Sequence, residues 1–136
     1  MNQLFATFLA FLLLAFQPSP VFAVESNLNE LPKCIEVAHC VLETWEVNNV
    51  QDTFEKAVEA IEHMPRTKIV ERMPLFVHAE AQTRWLRYKD DLLVKGLPER
   101  GEIQVRSESR VGIGDNGVNQ RRVDELSYRL TTNQIN

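Results

Sequence analysis

A chain of 136 residues with a formal net charge of −4 has room for one ordinary domain, and its negative balance argues against nucleic acid as the main partner. Five of the seven phenylalanines (Phe5, Phe8, Phe11, Phe16, Phe22) fall near the N-terminus, so no aromatic stripe remains downstream on which bases would stack. The charge is uneven: residues 24 to 62 carry nine acids and two bases, whereas residues 63 to 136 carry thirteen bases and ten acids.

The first 23 residues contain no charged side chain, hold an apolar run from Leu4 to Phe16 and end in Val21-Phe22-Ala23. This pattern predicts a secretory signal peptide over 1–23, although the usual basic n-region is missing. The apolar run is shorter than the roughly 18 residues of a membrane span, and Pro18 and Pro20 follow it, so no stable span is expected after cleavage. The expected destination is the periplasm, a thylakoid lumen or the medium. Residues 24–33 read as a flexible lead-in, 34–131 as a single domain and 132–136 as a tail.

Cys34 and Cys40 are the only cysteines, and an even pair in an exported chain predicts a small disulfide loop. Two free thiols are the alternative. Adjacent His39 and Cys40 with Cys34 make a poor tetrahedral metal site.

A short strand is expected over Cys40–Val47, because the segment alternates partly and is rich in branched and aromatic residues. In Val50–Ile61 the residues Val50, Phe54, Ala57, Val58 and Ile61 share one helical face, and Pro65 ends the helix. His63, at the helix end, suits the negative pole of the macrodipole. From Thr67 the period becomes two. Strands are predicted over Thr67–Met73, Leu75–Leu86, Tyr88–Leu97 and Glu102–Gly112, with Val77, Ala79, Ala81, Thr83 and Trp85 on one face of the second. Ile103, Val105, Ser107, Ser109 and Val111 share the corresponding face of the last strand. Asn119 is read as the N-cap of a closing helix whose Val123, Leu126 and Leu130 face inward.

The order β-α-β-β-β-β-α implies an α+β domain, a four- to five-stranded antiparallel meander with both helices packed on one face. Small Ala79, Ala81, Ser107 and Ser109 would let a helix lie close to the sheet. The other face would carry His78, Glu80, Arg106, Glu108 and Arg110, with nothing left to cover it.

These residues fall into segments that resemble the Domain of Unknown Function 1499 family. The matching segments are the spaced Cys34 and Cys40, Pro65-Arg66-Thr67, Val77-His78-Ala79-Glu80, Asp90-Asp91, Arg106-Ser107-x-Ser109-Arg110-x-Gly112 and Asp115-x-Gly117-Val118-Asn119-x-x-Arg122. An aromatic residue commonly follows the Asp pair in that family, whereas Leu92-Leu93-Val94 is aliphatic here, and Glu108 stands where a small residue is usual. The resemblance implies a domain type and carries no established reaction.

Arg106 and Arg110, with Arg66 and Arg84 near them, have the chemistry to fork a phosphate, sulfate or carboxylate. The bland reading, a lattice of internal salt bridges with Glu80, Glu108, Asp90 and Asp91, is favoured by the similar number of acids and bases. Gly112, Asp115 and Gly117 mark a tight corner. That corner leaves Arg121 and Arg122 in the first turn of a helix, where the macrodipole disfavours cations, so a negative group is expected near them. Too few acids are present for calcium, and the GxGxxG spelling from Gly112 lacks the βαβ unit of a dinucleotide site, so no metal or cofactor is implied. His78 and Glu80 are weak candidates for a catalytic pair, since no nucleophile is assured beside them. The expected function is non-catalytic binding of an anionic small molecule or a protein partner through the arginine-bearing sheet face. A hydrolase or isomerase using His78 and Glu80, and a structural subunit of an envelope or thylakoid-lumen assembly, are the alternatives.

Overall fold

The structure is a computed structural model that describes residues 30–112 and 114–132; the expected leader, most of the lead-in and the last four residues lie outside the described residues. Its elements are β1 (Cys40–Glu46), α1 (Val50–Glu62), β2 (Thr67–Met73), β3 (Phe76–Gln82), β4 (Lys89–Leu97), a 3-10 turn (Pro98–Arg100), β5 (Glu102–Ser109) and α2 (Val118–Thr132). The strands form one antiparallel sheet in the order β1-β5-β4-β3-β2. β2 to β5 are a meander, and β1 closes the sheet by pairing with the last strand. This is the expected α+β architecture.

Periodicity places the core. The α1 face formed by Val50, Phe54, Ala57, Val58 and Ile61 is buried, as are Val123, Leu126 and Leu130 of α2. Both helices bury these residues in one cluster with Val77, Ala79, Leu92, Val94, Ile103 and Val105 of the sheet. Each large apolar side chain enclosed there contributes about 1.5–3 kcal/mol. Asn49 caps α1 by accepting a hydrogen bond from the Asp52 N–H, and His63 Nδ1 donates to the Glu59 carbonyl at the other end.

Four local expectations are corrected. β3 ends at Gln82 rather than Leu86, so Trp85 belongs to the β3–β4 loop and is 85 % exposed instead of lying on the buried face. The chain turns there because Arg87 adopts a left-handed φ of 55° while Thr83 and Tyr88 exchange hydrogen bonds. β5 ends at Ser109, which leaves Val111 beyond the sheet and exposed. Asn119 is not the cap of α2 but lies inside its first turn, fully buried; the capping acceptor is Asp115, whose carboxylate takes the N–H groups of Gly117 and Asn119. Finally, Leu31, within the lead-in expected to be flexible, is buried, and its N–H donates to Oε1 of Gln104 on the face expected to be open.

β2 carries a bulge between Ile69 and Glu71, and Leu75 reverses the chain into β3 with a left-handed φ of 57°. Leu75 then closes on β4, its carbonyl accepting from Gly96 N–H at 2.8 Å. At Gly96 a Cβ would meet Val50 Cγ1 at 2.8 Å and Leu75 Cδ2 at 2.9 Å, so the junction of α1, the hairpin and β4 has no room for a side chain. Gly96→Ala should therefore destabilise the fold by about 1–3 kcal/mol in urea unfolding. Gly112→Ala, whose nearest neighbour would be His39 Nε2 at 3.6 Å, should stay within about 0.5 kcal/mol.

Candidate functional site

Antiparallel register brings the candidate residues of the open face together. Glu80 on β3 pairs with Asp91 on β4, which pairs with Glu108 on β5, and Arg110 follows just past the strand end. Arg110 Nε and Nη2 donate to the two oxygens of Asp91 at 2.9 and 2.5 Å, and Nη2 also reaches Glu80 at 2.7 Å. Lys89 Nζ donates to the other Glu80 oxygen at 2.9 Å, and His78 Nε2 donates to Asp91 at 2.7 Å. Two carboxylates, two cations and an imidazole thus complete one another.

The electrostatics follow from those contacts. The Lys89 ammonium, then the Arg110 guanidinium, hold the Glu80 carboxyl below its ordinary value. Hydrogen bonds from Arg110 lower Asp91, against an opposing effect of burial, with His78 adding to the depression. Arg110 is in turn raised, chiefly by Asp91 and then by Glu80.

Arg106 is only 8 % exposed, and its Nη2 bonds Glu108 at 2.8 Å while its buried Nε has no partner. His78 faces Asp91 rather than Glu80, and Ser107 and Ser109 lie on the opposite face of the sheet from the imidazole, bonded to Asn119.

A second polar cluster occupies the helix-covered face, where spacers alone were expected. Asp90 is on this face, apart from Asp91, and its Oδ2 accepts from Arg122 Nη2 at 2.6 Å with both side chains more than nine-tenths buried. Arg122 Nη1 donates to Ser107 Oγ and Asn119 Oδ1, both at 2.8 Å. Asn119 Nδ2 in turn donates to Ser109 Oγ, to Asp115 and to the His39 carbonyl. Burial pushes the Asp115 carboxyl up, but the backbone N–H groups of Asn119 and Gly117 outweigh it, and the group lies below its ordinary value. Asp90 is the negative group that the placement of Arg122 required. The signal for it was in the sequence, since adjacent residues of a strand must face opposite sides.

The corner owes its shape to Gly114 (φ 116°), Asn116 (φ 51°) and Gly117 (φ 74°). It lies against the disulfide loop, where Cys34 and Cys40 are joined with their Cα atoms 5.6 Å apart. Arg121 donates to the Asn116 carbonyl, and Arg66, at a left-handed φ of 57°, donates to the Gln82 carbonyl. Neither joins the lattice.

Sequence reasoning did not find the common end of the sheet to which these loops belong. The register places the start of β1, the end of β5, the start of β4, the end of β3 and the start of β2 side by side. The disulfide loop, the 110–117 corner, the 83–88 hairpin and the 65–66 turn therefore all cap that end. Lys33, Arg66, Arg84, Arg87 and Arg121 rise from it or beside it, and none forms an ion pair among the described residues.

A model of the family described as "Protein of unknown function (DUF1499)" matches residues 19–130. The chain belongs to that family. No curated protein matches it. The family match takes in both polar clusters and the loop end, and no described helix is long and apolar enough to cross a membrane. A cleft of about 350 Å³, lined by Trp45, Asn49, Asp52, Ser127 and Leu130, lies at the far end of the sheet from the lattice.

Three outcomes are expected. Because the folded values of Glu80 and Asp91 lie below the ordinary 4.5 and 3.8, the unfolded chain binds protons first as the solution is acidified. The lattice's contribution should be complete above those values and fade as pH falls below them, so urea midpoints should drop over that window, and less steeply in Asp91→Asn. Asp90→Ala or Arg122→Ala should cost about 3–5 kcal/mol by leaving a buried charge alone, whereas Asp90→Leu combined with Arg122→Met should recover much of the loss. Arg121→Ala should cost less than about 0.5 kcal/mol.

Proposed function

We propose that the protein is an exported, non-catalytic binding module that engages an anionic partner through the cationic end of its sheet. The observation that carries this reading is the division among its arginines. Arg106 on β5, Arg110 just past its end and Arg122 in the helix interface each hold a carboxylate, whereas Arg66, Arg84, Arg87 and Arg121 hold none among the described residues. Matched charges within the sheet stabilise and orient; unmatched charges on loops attract. The binding surface is thus moved from the middle of the open face to its rim. The closed lattice around His78 supports the non-catalytic reading, because Glu80 and Asp91 already spend their oxygens on Lys89, Arg110 and His78. Export to a periplasm, a thylakoid lumen or the medium is supported by the uncharged apolar leader pattern and by the Cys34–Cys40 disulfide.

Retention on a sulfonate cation exchanger at pH 7 tests the reading. A protein of net charge −4 is retained there only through a concentrated cationic patch, so the wild type should bind and elute with salt. Arg84→Ala with Arg87→Ala should elute at clearly lower salt, and Lys56→Ala, which removes a cation from an α1 ion pair, should elute as wild type. Wild-type protein in the flow-through would refute the reading.

A further inference from the structure

The same end of the sheet carries a second feature that charge alone does not explain. Ile35 and Val37 on the disulfide loop are 90 % and 83 % exposed, Trp85 and Leu86 at the hairpin tip are 85 % and 68 % exposed, and Val111 projects from the corner between them. An exposed apolar residue standing alone needs no account, but five on three neighbouring loops form a common feature. The loops are also braced. The disulfide closes the first, and paired hydrogen bonds between Thr83 and Tyr88 close the hairpin. Apolar side chains held outward on braced loops lose little further freedom when they are covered.

We propose that this end of the sheet docks onto the surface of an anionic lipid bilayer, with Trp85, Leu86, Ile35 and Val37 entering the headgroup and upper acyl region and the loop cations meeting lipid phosphates. The proposal rests on the reading above that the cationic end is the binding surface. Three observations favour a bilayer over a protein partner. The apolar tips are spread across several strand spacings, about 14 Å at ~4.8 Å each, with cations between them, so no single apolar patch faces a complementary pocket. A fluid surface accepts separated tips without shape matching. Arg84 lies over the Trp85 ring, 5.4 Å from its centroid, which pairs an interfacial aromatic with the cation best suited to a phosphate. Lys33, Arg66, Arg87 and Arg121 surround them against only Glu36 and Asp115 on the same loops, giving the charge complementarity that anionic headgroups require.

The test reads Trp85 itself, so that attachment by any other part of the full chain is not mistaken for docking. Full-length protein is mixed with vesicles of phosphatidylcholine containing about one-third phosphatidylglycerol, and with pure phosphatidylcholine vesicles. Tryptophan emission is recorded for the wild type and for Trp85→Leu, whose difference isolates the loop residue while leaving Trp45 in place. The expected result is a blue shift and quenching by bromine-labelled lipid in that difference signal, present with the anionic vesicles and reversed by high salt. Arg84→Ala with Arg87→Ala should weaken vesicle affinity roughly thirtyfold, the combined share of two cations at a charged bilayer, with an unchanged circular dichroism spectrum. Co-sedimentation with an unaltered Trp85 signal would overturn the proposal, as would equal response to neutral vesicles, or self-association in sedimentation velocity that vanishes with Trp85→Leu. Retention on the cation exchanger without any Trp85 response would overturn the bilayer alone and leave the cationic binding surface standing.

Discussion

A guanidinium near the start of a helix faces the positive end of the macrodipole, and for Arg122 of α2 that charge is met by a carboxylate reaching up from the sheet. The Arg122–Asp90 pair does more than neutralise a charge. It aligns α2 against β4 and β5, and its partner Arg122 organises Ser107 and Asn119. Asn119 then ties together the corner, the end of β5 and the His39 carbonyl of the disulfide loop. A buried ion pair adds little net stability against an apolar substitute, but its demands on geometry are strict. Here those demands fix where three loops stand relative to one another, so the capping end of the sheet inherits its shape from a contact beneath it.

The two sides of the sheet answer the same problem differently. On the helix side the buried polar groups are matched almost completely, with Asp90 Oδ1 as an exception. On the other side Glu80, Asp91, Lys89 and Arg110 are partly exposed and matched across the strands, whereas Arg106 is buried beside Glu108 of its own strand with its Nε unpaired. What is left unmatched is pushed outward, onto turns that no strand covers. Five cations without an ion pair among the described residues and the exposed Ile35, Val37, Trp85, Leu86 and Val111 thus meet at one end of the sheet.

Period-two alternation was enough to recover the strands, their order of appearance and the inward residues of β3 and β5, and the helical faces were equally plain in Val50 to Ile61 and Val123 to Leu130. The errors came where local chemistry is silent. Trp85 continues the parity of Val77 and Ala79 on paper, but the chain turns at Gln82 without a glycine or proline, through a left-handed Arg87 that no propensity favours. Leu31 is one apolar residue in a polar segment, and only the tertiary contact with Gln104 reveals its burial. Ser107 and Ser109 were legible as small residues facing the helix, while their role as hydrogen-bond partners depends on Asn119, which is distant in sequence. The lattice of salt bridges was foreseeable from composition; the loop end was not, because it is assembled by register from four separate turns.

The bulge between Ile69 and Glu71 lies on β2, one of the two outer strands, where an open row of backbone donors and acceptors would otherwise invite a second copy. A break in that row, flanked by Lys68, Glu71 and Arg72, prevents a neighbour from extending the sheet in register. Such protection matters most when molecules share one orientation in two dimensions, since their outer strands then meet edge-on far more often than in free solution. The irregular edge of β2 thus disfavours one route of edge-to-edge pairing that a shared orientation would promote.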